Sequence, residues 1–295
     1  WNSNSASSDQ NQQPDTNHSL MAFQHGTTMY ATGSNTAETI LNNNGIVHVQ
    51  KNFRALPIRD VQGVVPDAGA SSNPNLIVLA SKIDGNANTQ VPTAPGVAGL
   101  SVQDVLIDGI RGLNLGTGVT NLPSSAVLLF NATNILQSGI DDTVPDILVS
   151  QIAQPSDNSY SIYSFVDAQG NIVGNPVQIN FSSVTVVGRY KTDFFTLPNG
   201  APLNTAVING STVVGNNFRD IRLLAYHLSD FGINSTNRTN AVAFKVMPSG
   251  TSDPAFMAYN RDSFQIPSPI ITAQPTSRVA CAADLVAPSV PVVTD

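Results

Sequence analysis

The scarcity of charged helix-forming residues is the feature that most limits how this chain can fold. Glu38 is the only glutamate among 20 acidic residues, and the four lysines lie far apart, at positions 51, 82, 191 and 245. Charged residues make up 11% of the chain, compared with about 25% in typical soluble domains. β-Branched Val, Ile and Thr recur throughout instead. Because these residues favour strands over helices, we predict an all-β protein with little helix.

The segment at residues 145–181, PDILVSQIAQPSDNSYSIYSFVDAQGNIVGNPVQINF, shows the strand pattern most clearly. It reads as three strands separated by turns rich in Gly, Asn, Asp and Pro. The clearest hairpin is at DAQGNIVG, because Gly170 and Asn171 can adopt positive φ at low steric cost. About a dozen strands of this kind, with no helical periodicity between them, predict an antiparallel β-sandwich of jelly-roll type.

Composition divides the chain into a central domain and two arms. Residues 1–19 are polar and of low complexity, which predicts an extended N-terminal arm. Residues 20–264 carry the strands and form the sandwich domain, either as one continuous unit or with a subdivision near residue 120. Residues 265–295 combine prolines with apolar runs, which predicts an extended C-terminal arm.

The charge distribution limits the partners of the chain. Its net charge is -7 and its nine arginines are scattered along the sequence, so we predict no nucleic-acid partner and no attraction to anionic membranes. No apolar run approaches the roughly 20 residues needed to cross a bilayer, which predicts no membrane insertion. Cys281 is the only cysteine, so an intrachain disulfide is excluded and the role of this thiol stays open.

A group of carboxylates provides the main candidate metal site. Asp141, Asp142, Asp146 and Asp157 lie in and around a loop between predicted strands. Loop oxygens are the ligands that calcium needs, so this group could hold a calcium ion; the alternative is a set of solvated turn aspartates. The sequence DGNAN, from Asp84, resembles half of a calcium loop but lacks the later bidentate acid. We expect no other cofactor.

The histidines and potential nucleophiles form no catalytic motif. The four histidines, at positions 18, 25, 48 and 227, lack HxH or HExxH spacing, although His25 and His48 lie on neighbouring predicted strands and could meet as a metal pair or be polar strand residues. No GxSxG sequence is present, and Glu38 lies in the turn-like segment NTAETILNNNG. We therefore predict that the protein is not an enzyme.

Tyrosines raise the alternative of sugar binding. Carbohydrate-binding sandwiches usually present aromatic platforms, whereas aromatic residues make up only 6% of this chain and its one tryptophan is at position 1. Tyr160, Tyr163, Tyr226 and Tyr259 could contribute to such a surface, or they could be half-buried packing residues on strands.

The segment PDILVSQIAQPSDNSYSIYSFVDAQGNIVG stands with GLNLGTGVTNLP upstream and with LSDFGIN and AFMAYNRDSF downstream. This set resembles secreted or cell-surface β-proteins of Bacteroidota, and the resemblance spans about residues 26–264. It implies export by the type IX system and display outside the cell. The same lineage glycosylates Asp-Ser/Thr before an apolar residue, so the resemblance marks Thr143 in DTV as an acceptor.

These features predict an extracellular structural or adhesive subunit. An open sheet edge is a template for a strand from another chain, and both ends of this chain are expected to be extended. We expect copies to assemble head-to-tail into a filament through the arms and the sheet edges. The alternative is a carbohydrate-binding sandwich of a cell-surface protein, with surface polysaccharide as its partner.

Overall fold

The computed structural model describes residues 19–66, 76–79, 99–152, 160–208, 212–250 and 252–266. Within this part of the chain the three α-helices are short: α1 (Asn35–Asn43), α2 (Val102–Leu106) and α3 (Gln137–Asp141). The strands are β1 (Ala22–His25), β2 (Thr28–Ala31), β3 (Val49–Gln50), β4 (Phe53–Ala55), β5 (Ile58–Gln62), β6 (Leu76–Leu79), β7 (Thr117–Thr120), β8 (Val127–Asn131), β9 (Ile147–Ile152), β10 (Tyr160–Val166), β11 (Ile172–Asn180), β12 (Gly188–Thr196), β13 (Thr212–Tyr226), β14 (Ala243–Pro248) and β15 (Pro254–Asn260). Short 3-10 helices are present at Ile110–Gly112, Phe181–Ser183, Leu228–Phe231 and Arg238–Asn240. The all-β prediction is therefore confirmed.

The described strands form three sheets. The largest has seven antiparallel strands in the order β4-β15-β9-β13-β12-β6-β7, and the second has five antiparallel strands in the order β11-β10-β14-β8-β5. The third has the order β1-β2-β3, and its β2 and β3 are parallel. This parallel pair departs from the predicted antiparallel pattern because α1 connects the two strands, and a crossover helix of this kind permits parallel pairing.

The seven- and five-stranded sheets pack face to face through aromatic side chains. Phe231 contacts Tyr226 of β13 at a ring-centroid distance of 5.6 Å and Phe165 of β10 at 5.4 Å. Phe264 contacts Tyr259 of β15 at 5.5 Å and the same Phe165 at 6.4 Å. These two phenylalanines join one sheet to the other, which gives the β-sandwich that the strand pattern predicts.

The opposite face of the seven-stranded sheet is covered as well. Phe23 and Phe53 meet edge to face at 5.1 Å and pack with Leu148 of β9 and Ile221 of β13 in one buried cluster. Every residue of β9 and of β15 is buried. Burial on both faces explains why these strands read as almost continuous apolar runs instead of alternating ones.

The hairpin between β10 and β11 forms where the sequence places it. The backbone N–H of Asp167 donates to the carbonyl of Asn171 at 2.9 Å, and the Asp167 carboxylate accepts the Asn171 N–H at 2.8 Å. Gly170 has φ +85°, whereas Asn171 is not among the residues with positive φ. The turn therefore needs only one left-handed residue, because the Asp167 side chain holds the other end.

The segment around Glu38 is a helix, so its interpretation as a turn is wrong. Ser34 precedes α1, and its hydroxyl accepts the N–H of Ala37 at 3.1 Å. Ala37 and Leu41 form the buried side of α1, and Glu38 lies in its first turn. An N-cap and one buried face stabilise a helix that its asparagines alone would not favour.

The predicted arms lie almost entirely outside the described residues. Ser19 forms an isolated bridge with Asn114, and Gln265 donates its backbone N–H to the carbonyl of Asn134 at 3.0 Å. Residues 1–18 and 267–295 lie beyond the described part of the chain. The two arms therefore stay predictions.

Candidate functional site

The predicted carboxylate group separates into exposed and buried members. Asp141 and Asp142 are exposed at the end of α3. The Asp141 carboxylate accepts a hydrogen bond from Gln137 Nε2 at 2.9 Å, and the Asp142 carboxylate accepts one from the Val144 N–H at 2.9 Å. These are local contacts that shape the loop leading into β9. Thr143, the predicted glycosylation acceptor, is exposed in the same loop.

Asp146 is fully buried at the start of β9 and holds together elements from distant parts of the chain. Its Oδ2 accepts the N–H of Leu228 at 2.7 Å, its own N–H donates to the carbonyl of Tyr226, and its carbonyl accepts the N–H of Asn260. Burial, together with the nearby negative charge of Asp142, raises the pKa of Asp146 to about 7. Asp146 therefore links the ends of β13 and β15 through its backbone and the segment after β13 through its carboxylate.

The calcium prediction is not settled by this arrangement. Within the described residues, no three His, Cys, Asp or Glu side chains are grouped so that they could hold a metal ion. Asp157 and the DGNAN sequence from Asp84 both lie outside those residues. A calcium site at Asp141, Asp142, Asp146 and Asp157 stays a prediction, as does glycosylation at Thr143.

The histidines pair differently from the sequence-based expectation. The His25 ring meets the His227 ring edge to face at a centroid distance of 5.4 Å, whereas His48 contacts Glu38. His25 ends β1 and His48 precedes β3, and β2 lies between these two strands in the sheet. His18 lies outside the described residues. The absence of enzymatic activity stays a prediction.

A large apolar pocket lies beside the His25–His227 pair. Its volume is about 710 Å³, and we call it the β1/β13 pocket because Phe23 and His25 of β1 form one wall and Leu223 and Ala225 of β13 form another. Val187, 60% exposed, lies at its rim. Pockets of about 300–1,000 Å³ lined mainly by apolar side chains are typical ligand-binding sites.

The β1/β13 pocket exists because the three-stranded sheet covers only part of the large sheet. Ile221 is fully buried beneath this cover, whereas Leu223 and Ala225, two and four residues further along the same face of β13, are only half-buried. Because side chains alternate between the two faces of β13, its apolar face continues beyond the part that the three-stranded sheet covers. The sequence predicts strands within residues 20–264 but not the pocket, because the cover of β13 comes from residues about 200 positions earlier.

A second concavity, which we call the outer groove, lies on the other sheet. It has a volume of about 560 Å³ and is lined by polar side chains, including Asp60 and Gln62 of β5, Lys245 of β14, and Asp167 and Gln169 of the hairpin turn. Side chains of this kind can hydrogen-bond to sugar hydroxyls. The outer groove is therefore the described feature best suited to a polar ligand.

The predicted tyrosine surface is not present as an aromatic platform. Tyr163 is 1% exposed and Tyr259 is 6% exposed, and Tyr226 packs against Phe231 between the two large sheets. Tyr160 is half-buried at the start of β10. Tyr163, Tyr259 and Tyr226 are therefore packing residues and do not form a sugar-binding surface.

No known family model matches the chain, and no curated protein matches it. Across the described residues, no helix is both long and apolar enough to span a membrane. The fold and the two named concavities therefore carry the functional argument.

Proposed function

We propose that the protein is an extracellular structural subunit that assembles with copies of itself, and that the β1/β13 pocket receives an apolar segment of a neighbouring copy. The observation that carries this proposal is the half-buried apolar face of Leu223 and Ala225 beside the His25–His227 pair. An apolar surface of this kind in a chain of net charge -7 favours an apolar occupant. The resemblance to Bacteroidota surface proteins supports the extracellular location.

The sequence contains a suitable donor segment. Residues 265–295 include the apolar runs PIIT and LVAPSVPVV, and their only charged residues are Arg278, Asp284 and Asp295. Prolines keep such runs extended and remove backbone donors, so docking by side chains in a pocket suits them better than pairing in the middle of a sheet. A donor on one copy and an acceptor on the next give a head-to-tail contact, which produces an open polymer when the rotation does not close.

The two edges of the five-stranded sheet are less suited to assembly than the pocket. Edge strand β11 contains Pro176, and its register with β10 shifts between Tyr163 and Phe165. The opposite edge, β5, carries Arg59 and Asp60. Proline, bulges and charges are features that protect edges against pairing with another chain. These observations favour the pocket over an edge as the acceptor.

Assembly of the full-length chain tests this proposal when it is compared with two single variants. Leu223→Asp places a charge in the β1/β13 pocket, whereas Leu129→Asp places the same charge at a half-buried leucine of the outer groove. Sedimentation velocity and electron microscopy should show polymers for the wild type and for Leu129→Asp but not for Leu223→Asp. Circular dichroism and thermal unfolding show whether each variant is folded. Equal polymerisation of both folded variants would exclude the pocket as the acceptor.

A shortened chain ending at Ile266 tests the donor. It retains the described contacts of Phe264 and Gln265 and removes the apolar runs. We expect it to remain monomeric, and we expect a labelled peptide of residues 267–295 to bind it. Polymerisation of the shortened chain to the same extent as the full chain would contradict the donor role.

Carbohydrate binding at the outer groove is the second candidate function. It rests on the polar lining by Asp60, Gln62 and Lys245. A glycan array probed with the wild type and with Asp60→Ala should show binding that the variant loses, whereas Leu223→Ala in the other concavity should retain it. A flat array for the wild type would count against this function.

A further inference from the structure

Three arginines that are far apart in the sequence converge at one place on the surface. Arg111 Nη1 donates to Asn52 Oδ1 at 2.6 Å, and the backbone N–H of Arg261 donates to the Asn52 carbonyl at 2.8 Å. Arg54 lies two residues beyond Asn52 and is paired with Tyr259 across β4 and β15. Arg54, Arg111 and Arg261 are therefore close together in the fold, although they are far apart in the sequence.

The Arg111 guanidinium is held in place by the backbone around it. Arg111 has φ +61°, a left-handed backbone conformation that residues other than glycine rarely adopt. Its Nη1 also donates to the carbonyl of Thr32 at 3.2 Å, and Gly33 follows with φ +81°. A Cβ on Gly33 would lie 2.1 Å from the Lys51 carbonyl oxygen, so this close approach requires glycine. Strain of this kind is characteristic of binding sites, where it directs a side chain to a fixed position.

None of these three arginines forms an ion pair with another described residue. The side chains of Arg54 and Arg261 are exposed and make no hydrogen bond or ion pair with any described residue. Arg111 is bonded to two neutral oxygens. Burial, and then the charges of Arg54 and Arg261, lower the pKa of Arg111 more than the charge of Glu38 raises it.

Two acidic groups in the vicinity pair with other basic side chains. Glu38 contacts His48 at 2.7 Å, and Asp262 contacts Lys51 Nζ at 3.4 Å. Three arginines whose charges interact thus lie in one region of a chain whose net charge is -7. Mutual repulsion among them would be relieved by an anion from outside the chain.

We propose that Arg54, Arg111 and Arg261 form a binding site for a sulfate or phosphate group. Guanidinium groups bind tetrahedral oxyanions by paired, charge-assisted hydrogen bonds, and Arg111 is already oriented by neutral acceptors. Three charges can neutralise one such group, but they do not form the long basic track that a nucleic-acid backbone requires. The group can belong to a free ion or to an ester on a polysaccharide.

Binding measurements on the full chain test the site and distinguish the two sources. Isothermal titration at low ionic strength with sodium sulfate, sodium phosphate, dextran sulfate and unsulfated dextran compares the wild type with the double variant Arg54→Gln/Arg261→Gln. Arg238→Gln, a half-buried arginine that lines neither the β1/β13 pocket nor the outer groove, is the matched control. We expect the double variant to bind at least about tenfold more weakly than the control, because each lost charged hydrogen bond weakens binding by about that factor or more.

The pattern of weakened binding identifies the source of the group. Weakened binding of sulfate or phosphate indicates a free oxyanion, and weakened binding of dextran sulfate alone indicates a polysaccharide ester. The site is overturned if the wild type binds none of the charged probes, or if the double variant binds them as tightly as Arg238→Gln. These arginines do not line the β1/β13 pocket, so assembly and anion binding can fail independently of each other.

Discussion

Glu38 Oε2 lies 2.7 Å from Nε2 of His48, so the only glutamate of the chain is paired with a histidine. The other ring nitrogen of His48 lies 2.8 Å from the carbonyl oxygen of Ile46. The protonated ring donates to both oxygens, so the hydrogen bond to Ile46 and then that to Glu38 raise the pKa of His48 above 6.5. This pair connects α1 to the chain that enters β3.

The Glu38–His48 pair should stabilise the fold in a pH-dependent manner. A raised pKa in the folded state contributes stability below about pH 6.5, and this contribution is lost as the pH rises through the folded value. The difference in free energy of unfolding between the wild type and His48→Gln should therefore be larger near about pH 5.5 than near about pH 8.5. Urea denaturation at both pH values measures it. A difference that is constant or grows with pH would show that the pair contributes no proton-linked stability.

Asp146 is an acid and His48 is a base, but both should make the fold less stable as the pH rises, because the pKa of each is raised in the folded state. Its pKa is raised from 3.8 to about 7, so the folded state holds its proton more tightly than the unfolded state does. Stability should therefore fall as the pH rises from about 4 to about 7, by up to on the order of 4 kcal/mol from this group. Asp146→Asn keeps an acceptor for the Leu228 N–H and removes the titration.

The test is the slope of unfolding free energy against pH for three proteins. We expect Asp146→Asn to show a weaker decline between about pH 4 and pH 7 than the wild type. Asp141→Asn removes an exposed carboxylate from the same loop and should leave the decline unchanged. Identical slopes for all three proteins would mean that Asp146 is ionised in the folded state throughout this range.

Gly174 should be far less tolerant of substitution than Gly170. Both have positive φ, +78° and +85°, so alanine is strained at either position by about 1–2 kcal/mol. A Cβ at Gly174 would also lie 2.1 Å from the carbonyl oxygen of Phe231, whereas a Cβ at Gly170 meets nothing within 4 Å. Thermal unfolding should show a small decrease in Tm for Gly170→Ala and a much larger one for Gly174→Ala. Equal decreases would contradict the close approach of β11 to the Leu228–Phe231 helix.

Local sequence patterns predicted the strands and the hairpin correctly because their causes are local. The turn at Asp167 and Gly170 is specified by residues three and four positions apart, and the period of side chains in a strand is two. Glu38 was misassigned because its helix depends on a cap at Ser34 and on burial of Leu41, and the second of these is a tertiary contact.

The binding features could not be predicted because they assemble residues from distant positions. Arg111 and Arg261 both contact Asn52, which lies 59 and 209 positions earlier in the chain. The sequence around either arginine does not indicate these contacts. Asp146 and Asp142 look alike in sequence, but only the first lies at the buried start of β9. Burial of one and exposure of the other are properties of the packed sheets.

Disulfide trapping measures most directly whether the β1/β13 pocket receives a segment of another copy. Cys281, the only cysteine, lies within the proposed donor residues, and Val187 lies exposed at the pocket rim. The full chain carrying Val187→Cys should form a ladder of disulfide-linked oligomers under mild oxidation, whereas Val64→Cys, at another exposed valine, should not. A ladder for Val187→Cys that disappears with Cys281→Ser is the predicted result. No ladder, a cross-link within one chain, or equal ladders for both valine positions would contradict assembly through the pocket.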